Sequence, residues 1–270
     1  MSETDTKAQK ILVIEDSHVQ AKIICRHLEA MTTFRTVSAD SLEEASRVLA
    51  AMRDEIFAAV VDLNLPDAPY GEAVDLVQSH GLAVIVLTAT FKDDVRDALL
   101  ARNVADYVLK ESIVVLDDVE SKIERLFKNQ FIKALVVDDS RTARNTVRNL
   151  LEIQNYRVLE AENGKRALEV LDANPDIKLI VTDYEMPEMD GYELTSEVRR
   201  RYKKQQLAIV GISGAGESAM TAKFLKHGAN DFLHKPFAAE EFSWRVNQTV
   251  ELVEIVCELT QCHEEREAGR

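Results

Sequence analysis

Short β-branched runs alternate with longer amphipathic stretches along almost the whole chain. The runs lie near residues 10–15, 34–38, 57–62, 83–88 and 106–109, and again near 133–138, 157–161, 178–183, 207–213 and 231–234. Segments such as ILVI and ALVV are apolar at consecutive positions, the pattern of strands in a parallel sheet covered on both faces. Residues 41–52 and 164–173 have helical spacing and helix-sized length. Five β-α units, twice over, predict an α/β fold of two doubly wound, five-stranded parallel-sheet domains in tandem.

The second half repeats the first. KILVIEDSHVQAKIICRHLE from Lys10 recurs as KALVVDDSRTARNTVRNLLE from Lys133, and AAVVDLNLPD from Ala58 as KLIVTDYEMPE from Lys178. LAVIVLTAT from Leu82 recurs as LAIVGISGA, and VADYVLKES from Val104 as ANDFLHKPF. Four matches in one order imply a duplicated domain of about 120 residues. The expected divisions are 8–130 and 131–250, with 251–270 extending the last helix. Asn103 stands where the second copy has Gly228, the exchange expected at a helix end that needs a left-handed residue. Ser17 and Ser140 are placed to cap the first helix of each copy. The first copy's last helix runs almost directly into the next strand near Gln130, which predicts a restrained pair of domains.

Composition narrows the class. With 46% hydrophobic and 30% charged residues among 270, the chain reads as globular. No apolar run approaches the roughly 20 residues that span a bilayer, and the N-terminus lacks a signal-peptide core. Three cysteines make no disulfide framework, so the expectation is a cytoplasmic protein without a membrane partner. A net charge of −14 argues against nucleic acid.

The carboxylates cluster at strand ends, where open α/β sheets collect their functional groups. Glu15, Asp16, Asp62, Thr88 and Lys110 lie there in the first copy, and Asp138, Asp139, Asp183, Ser213 and Lys235 in the second. Three converging carboxylates repel one another, and a lysine with a divalent cation relieves that. All-oxygen ligands suit Mg²⁺. In phosphoryl-transfer terms Asp62 and Asp183 are the nucleophiles, and the acidic pairs hold the metal directly or through water. The carbonyls of Asn64 and Glu185, two residues past each nucleophile, are candidate metal ligands. Lys110 and Lys235 pair with one phosphate oxygen, and Thr88 and Ser213 bond another. Thr88 and Lys110 are 22 residues apart, as are Ser213 and Lys235.

These residues resemble the receiver domain of two-component response regulators, the flavodoxin-like family of the chemotaxis regulator; the same fold serves as a standard case of the switch-point rule. The resemblance covers nearly the whole chain twice. It is fuller in the second copy, which has Met186–Pro187, Met189–Asp190–Gly191 and Lys235–Pro236, where the family has a cis peptide. The first copy reads LPDAPYGEAV after Asp62 and has Glu111 after Lys110. Asp62 to Thr88 spans 26 residues against 30 from Asp183 to Ser213, so its third helix or the loop before it is shorter. The family implies phosphorylation by a histidine kinase or histidine phosphotransfer protein. It also implies a switch in which Tyr107 or Phe232 turns inward and the face of helix four, strand five and helix five repacks. Receivers catalyse only their own phosphorylation and dephosphorylation. The first copy either accepts phosphate or serves as a docking module. The residues flanking the attacking water, Asn64 and Thr90 against Glu185 and Ala215, imply different phosphate lifetimes.

After Pro236 the chain reads as one long helix, with Phe242, Val246, Thr249, Val253 and Val256 alternating by four and three. Either the helix extends to pair with a partner helix, giving a homodimer through the second receiver and this helix, or its end frays. Such a helix resembles those joining tandem receivers to diguanylate cyclase domains, although no output module is evident here. Cys25, on an amphipathic helix, reads as packing. Cys257, Cys262 and His263 could suggest a metal, but they cannot all share one helical face. Pro66 and Pro187 read as turn residues. A haloacid-dehalogenase-type phosphatase is disfavoured, because its nucleophile and acid lie two apart, whereas Glu15–Asp16 and Asp138–Asp139 are adjacent.

Overall fold

The computed structural model describes residues 9–89, 93–110, 114–214 and 218–268. The chain forms two compact units, Met1–Lys128 with Ile153–Asn155, and Asn129–Glu152 with Tyr156–Arg270. The first holds β1 (Lys10–Ile14), β2 (Arg35–Ala39), β3 (Ile56–Asp62), β4 (Ala83–Thr88) and β5 (Asp106–Leu109). They pair in parallel in the order β2-β1-β3-β4-β5. The second holds β6 (Lys133–Val137), β7 (Arg157–Ala161), β8 (Ile177–Asp183), β9 (Ala208–Ser213) and β10 (Asp231–His234), ordered β7-β6-β8-β9-β10, again parallel. The doubly wound α/β fold expected from the sequence is therefore present twice. Even an irregularity recurs, since the pairing register shifts between Lys10 and Ile11 in one sheet and between Lys133 and Ala134 in the other.

Helices α1 (His18–Met31), α2 (Leu42–Met52), α3 (Glu72–Ser79), α4 (Asp93–Ala101) and α5 (Val115–Asn129) follow the strands of the first unit. In the second they are α6 (Arg141–Ile153), α7 (Gly164–Ala173), α8 (Gly191–Arg201), α9 (Ser218–Lys226) and α10 (Ala239–Ala268). Alternate strand residues serve opposite faces. Leu12 and Ile14 join one core layer with Ala45, Leu49 and Val74, while Ile11 and Val13 join another with Ile24, Leu28, Val119 and Ile123. Covering both faces is why inner strands such as β1, β4 and β6 read as apolar runs, while the edge strands β2 and β7, RTVSA and RVLEA, are mixed.

The helix starts follow local chemistry. Ser17 Oγ accepts the Gln20 amide at 3.4 Å and Ser140 Oγ the Ala143 amide at 3.4 Å, as expected of caps. Asp190 and Glu193 close a reciprocal capping box at the start of α8. Asn103 and Gly228 both have positive φ, 56° and 113°. Strand ends depart from the sequence reading by a residue, with β2 starting at Arg35 and β9 at Ala208, because apolar pattern does not fix where pairing stops. The first copy is shorter in its third helix, 8 residues in α3 against 11 in α8, and equally in the segment that follows it, 80–82 against 202–207. The loop before that helix is not the shorter part.

The C-terminal stripe is used differently from its reading as a partner face. α10 is one 30-residue helix, but Phe242, Val246 and Thr249 are buried in the second unit, with Val253 packed at the edge of that core. Val256 is exposed, as are Trp244, Leu252, Ile255 and Leu259. The side chains of Cys262 and His263 lie outside the described residues, as do Thr90, Glu111 and Ala215.

Gly191 carries the tightest steric demand, because a Cβ there would sit 2.1 Å from the carbonyl oxygen of Asp183. Gly191→Ala is expected to cost about 1–3 kcal/mol, the usual penalty of forcing atoms into a filled site. Urea unfolding monitored by circular dichroism measures it.

Candidate functional site

Parallel pairing brings the carboxyl ends of β1, β3 and β4 side by side, and β5 adds the lysine that follows it. In the first unit Glu15 and Asp62 are buried, with side chains 1% and 7% exposed, and Lys110 Nζ bridges them at 2.8 and 2.7 Å. In the second, Lys235 Nζ lies 3.0 Å from Asp138 and 2.6 Å from Asp183. Backbone amides hold the same carboxylates. Ser17 N and Asn64 N donate to Glu15 and Asp62 at 3.3 and 3.2 Å, and Ser140 N and Glu185 N donate to Asp138 and Asp183 at 2.9 and 3.2 Å. Thr88 and Ser213 are buried at the ends of β4 and β9. Asp16 and Asp139 are exposed beside the buried acid of each pair, and Asn64 and Glu185 are exposed past the central aspartate. Each sequence-derived set thus lies at the carboxyl edge of its own sheet.

Charge sets the electrostatics of both sites. Burial pushes the pKa of Glu15 above the ordinary carboxylate range, with nearby Asp62 adding to the rise and Lys110 opposing it. Burial likewise raises Asp183, against the pull of Lys235. Burial alone would lower the two lysines, but hydrogen bonds to Asp62 and Glu15, and to Asp183 and Asp138, outweigh it and hold both above the usual ammonium value. The lysines therefore stay cationic, and their pairing is lost only as pH rises through those raised values.

The donor set fits a hard divalent cation. Ligand oxygens of Glu15, Asp16 and Asp62 all lie within 4.8 Å of one another, an all-carboxylate cluster of the kind that Mg²⁺ accepts.

Two elements escaped sequence reading. Asp67, in the loop after Asp62, accepts the Leu42 amide through both carboxylate oxygens at 3.1 and 2.9 Å, tying that loop to the start of α2. The second unit makes the same tie with backbone alone, since the Gly164 amide donates to the Met189 carbonyl at 3.1 Å. A Cβ on Gly164 would sit 2.5 Å from Met189 Cγ, so the close approach needs glycine. Leu42 takes the place of Gly164, and a longer acidic side chain bridges the wider gap. Arg144 is the other element, its guanidinium donating to the Asp138 carbonyl at 2.7 Å beneath the second site. Ala21 stands there in the first copy.

Phe232 is buried, 5.5 Å from the Phe224 ring, while Tyr107 is half-buried against the first core. The Lys235–Pro236 peptide is cis, as the resemblance implied.

The comparisons agree with this geometry. The family model for the response regulator receiver domain matches residues 134–247. The chemotaxis protein CheY1 of Helicobacter pylori is 43% identical over 110 residues, 40% of this chain and 89% of that protein. The rice two-component response regulator ORR5 is 38% identical over 109 residues, 40% of this chain and 81% of that one. A crystal structure of a two-component system response regulator/GGDEF domain protein superposes with a TM-score of 0.81 at 43% identity, covering 91% of this chain and 99% of that one. The chain belongs to the response regulator receiver family. Among the described residues no helix is long and apolar enough to cross a membrane.

Two outcomes follow. Asp67→Ala removes the side-chain tie at α2 and is expected to destabilise the first unit by about 0.5–2 kcal/mol, as loss of a helix cap does, measurable by urea titration. A carboxyl whose pKa is raised by folding loses stability as pH rises through that value, so ionised Asp183 is a cost at neutral pH. Asp183→Asn should therefore raise the melting temperature of the second unit in EDTA at pH 7. The gain should shrink as pH falls into the carboxylate range, and calorimetry across pH tests both statements.

Proposed function

We propose that the chain is a response regulator whose Asp183 and Asp62 each accept a phosphoryl group from a phosphohistidine on a histidine kinase or histidine phosphotransfer protein. The observation that carries this reading is the repeated pair of buried or half-buried carboxylates bridged by one lysine at the carboxyl edge of each sheet. A carboxylate oxygen attacks phosphorus, an O–P bond forms, the N–P bond breaks, and the leaving imidazole takes a proton from solvent. Lys110 or Lys235 then moves from its carboxylates to a phosphoryl oxygen, and Thr88 or Ser213 donates to another. Glu15, Asp16, Asp62 and the Asn64 carbonyl, or Asp138, Asp139, Asp183 and the Glu185 carbonyl, would hold Mg²⁺, which would supply neutralising charge at the transferring group. Inward turning of Phe232 or Tyr107 with the hydroxyl residue passes the new charge to the outer face of the domain.

The output is regulation of a partner or attached domain. The GGDEF designation of the similar solved protein favours control of diguanylate cyclase activity. Exposed Leu252, Ile255, Val256 and Leu259 on α10 support a homodimer through the second receiver and that helix. A cytoplasmic location fits the three-cysteine composition.

Intact mass after incubation with Mg²⁺ and a small phosphodonor tests the reading. Wild type should gain two phosphates, Asp62→Asn and Asp183→Asn one each, and the double variant none. A single phosphate lost only with Asp183→Asn would make the first receiver a docking module, and no phosphate on any form would overturn the proposal.

A further inference from the structure

The two units share one fold, so each shows what the other does not need. In the first, α1 and α5 cover the same sheet face, with Ile24 and Leu28 packed beside Val119 and Ile123. At the rim of that contact His27 of α1 meets two carboxylates of α5. Its Nε2 lies 2.9 Å from Glu120 and 3.6 Å from Asp117. The three ligand atoms all lie within 4.8 Å of one another. None of these residues belongs to the site at the strand ends.

The second unit packs the corresponding helices without the imidazole and without an acid at the place of Glu120. Aligning Lys10 with Lys133 sets Leu150 at the place of His27, and Leu150 packs against the apolar core. Lys122 pairs with Asp106 as Arg245 pairs with Asp231, which aligns α5 with α10 and sets Ser243 at the place of Glu120. The fold therefore closes this contact with leucine and serine; Glu240 stands at the place of Asp117, so the imidazole and the Glu120 carboxylate are the additions of the first unit.

We propose that His27, Asp117 and Glu120 form a binding site for a divalent transition-metal ion of the zinc class. Ligands about 2.0–2.1 Å from such an ion stand about 3.3 Å apart in a tetrahedron and about 2.9 Å apart at adjacent octahedral positions. The observed 2.9 and 3.6 Å separations bracket that range. One imidazole nitrogen and two carboxylates suit zinc, and leave a coordination position for water. His27 and Glu120 are sheltered, each 19% exposed, while Asp117 at 73% leaves an entry path from solvent. Bound there, the ion would pin α1 to α5 independently of the strand-end site.

The test uses the full chain, stripped with EDTA and then titrated with Zn²⁺ in excess Mg²⁺, followed by calorimetry and by the visible spectrum of Co²⁺. Wild type should bind one ion per chain at this site, with a cobalt band from nitrogen and oxygen ligands and a raised melting temperature. His27→Leu with Glu120→Ser, which installs the second unit's residues, and the exposed Asp117→Asn should each weaken binding by at least about tenfold, the least that loss of a supporting group costs a metal site. Phosphate uptake should persist in both. Zinc bound equally by these variants, including binding lost only on Cys257→Ser with Cys262→Ser, would overturn the proposal, as would a wild type that takes up no zinc in excess Mg²⁺.

Discussion

Like charges forced together at the carboxyl edge of a sheet are the constraint from which much of the rest follows. Parallel pairing of β1 with β3, and of β6 with β8, leaves no choice about where Glu15 and Asp62, or Asp138 and Asp183, end up. The apolar strands that deliver them also exclude the water that would have screened them. A lysine from the end of β5 or β10, one strand beyond β4 or β9, reconciles the two demands, and its distances to both acids are nearly the same in the two units. An arrangement held in balance by one mobile ammonium group responds when another charge enters, which makes the same crowding both a cost to folding and the basis of a switch.

Much of this could be read in the sequence because the chain states it twice. Apolar runs of four or more residues fix strands, and their recurrence with the same acidic endings fixes the order of elements. Asn103 opposite Gly228 was legible because only a backbone with positive φ favours both residues. What remained hidden depends on contacts between distant segments. Asp67 reaches Leu42 across 25 residues, and no local pattern distinguishes it from a surface acid after a proline. Arg144 looks like any helical arginine until α6 is laid over the end of β6. The stripe from Phe242 to Val256 was visible, but not the point at which α10 passes from core to solvent. Periodicity reports a face and not what covers it.

The copies have diverged most where geometry gives latitude. Strand pairing tolerates little, since a one-residue slip would exchange the side chains packed in the two core layers. The third helix shortens, and the helix faces away from the reactive edge exchange leucine for histidine. Divergence has thus added chemistry to the first unit at positions that the second shows to be dispensable for folding.

The tie between the loop after the central aspartate and the next helix gives the two halves opposite tolerances to mutation. In the second unit the bond runs from amide to carbonyl, so many residues can stand at Met189, but Gly164 has no substitute without displacing its neighbour. In the first the carboxylate of Asp67 does the reaching, so position 42 accepts a leucine while position 67 becomes the exacting one. One inherited junction has two spectra of permitted change, and a single random mutation has its severest effects at reciprocal points in the two copies.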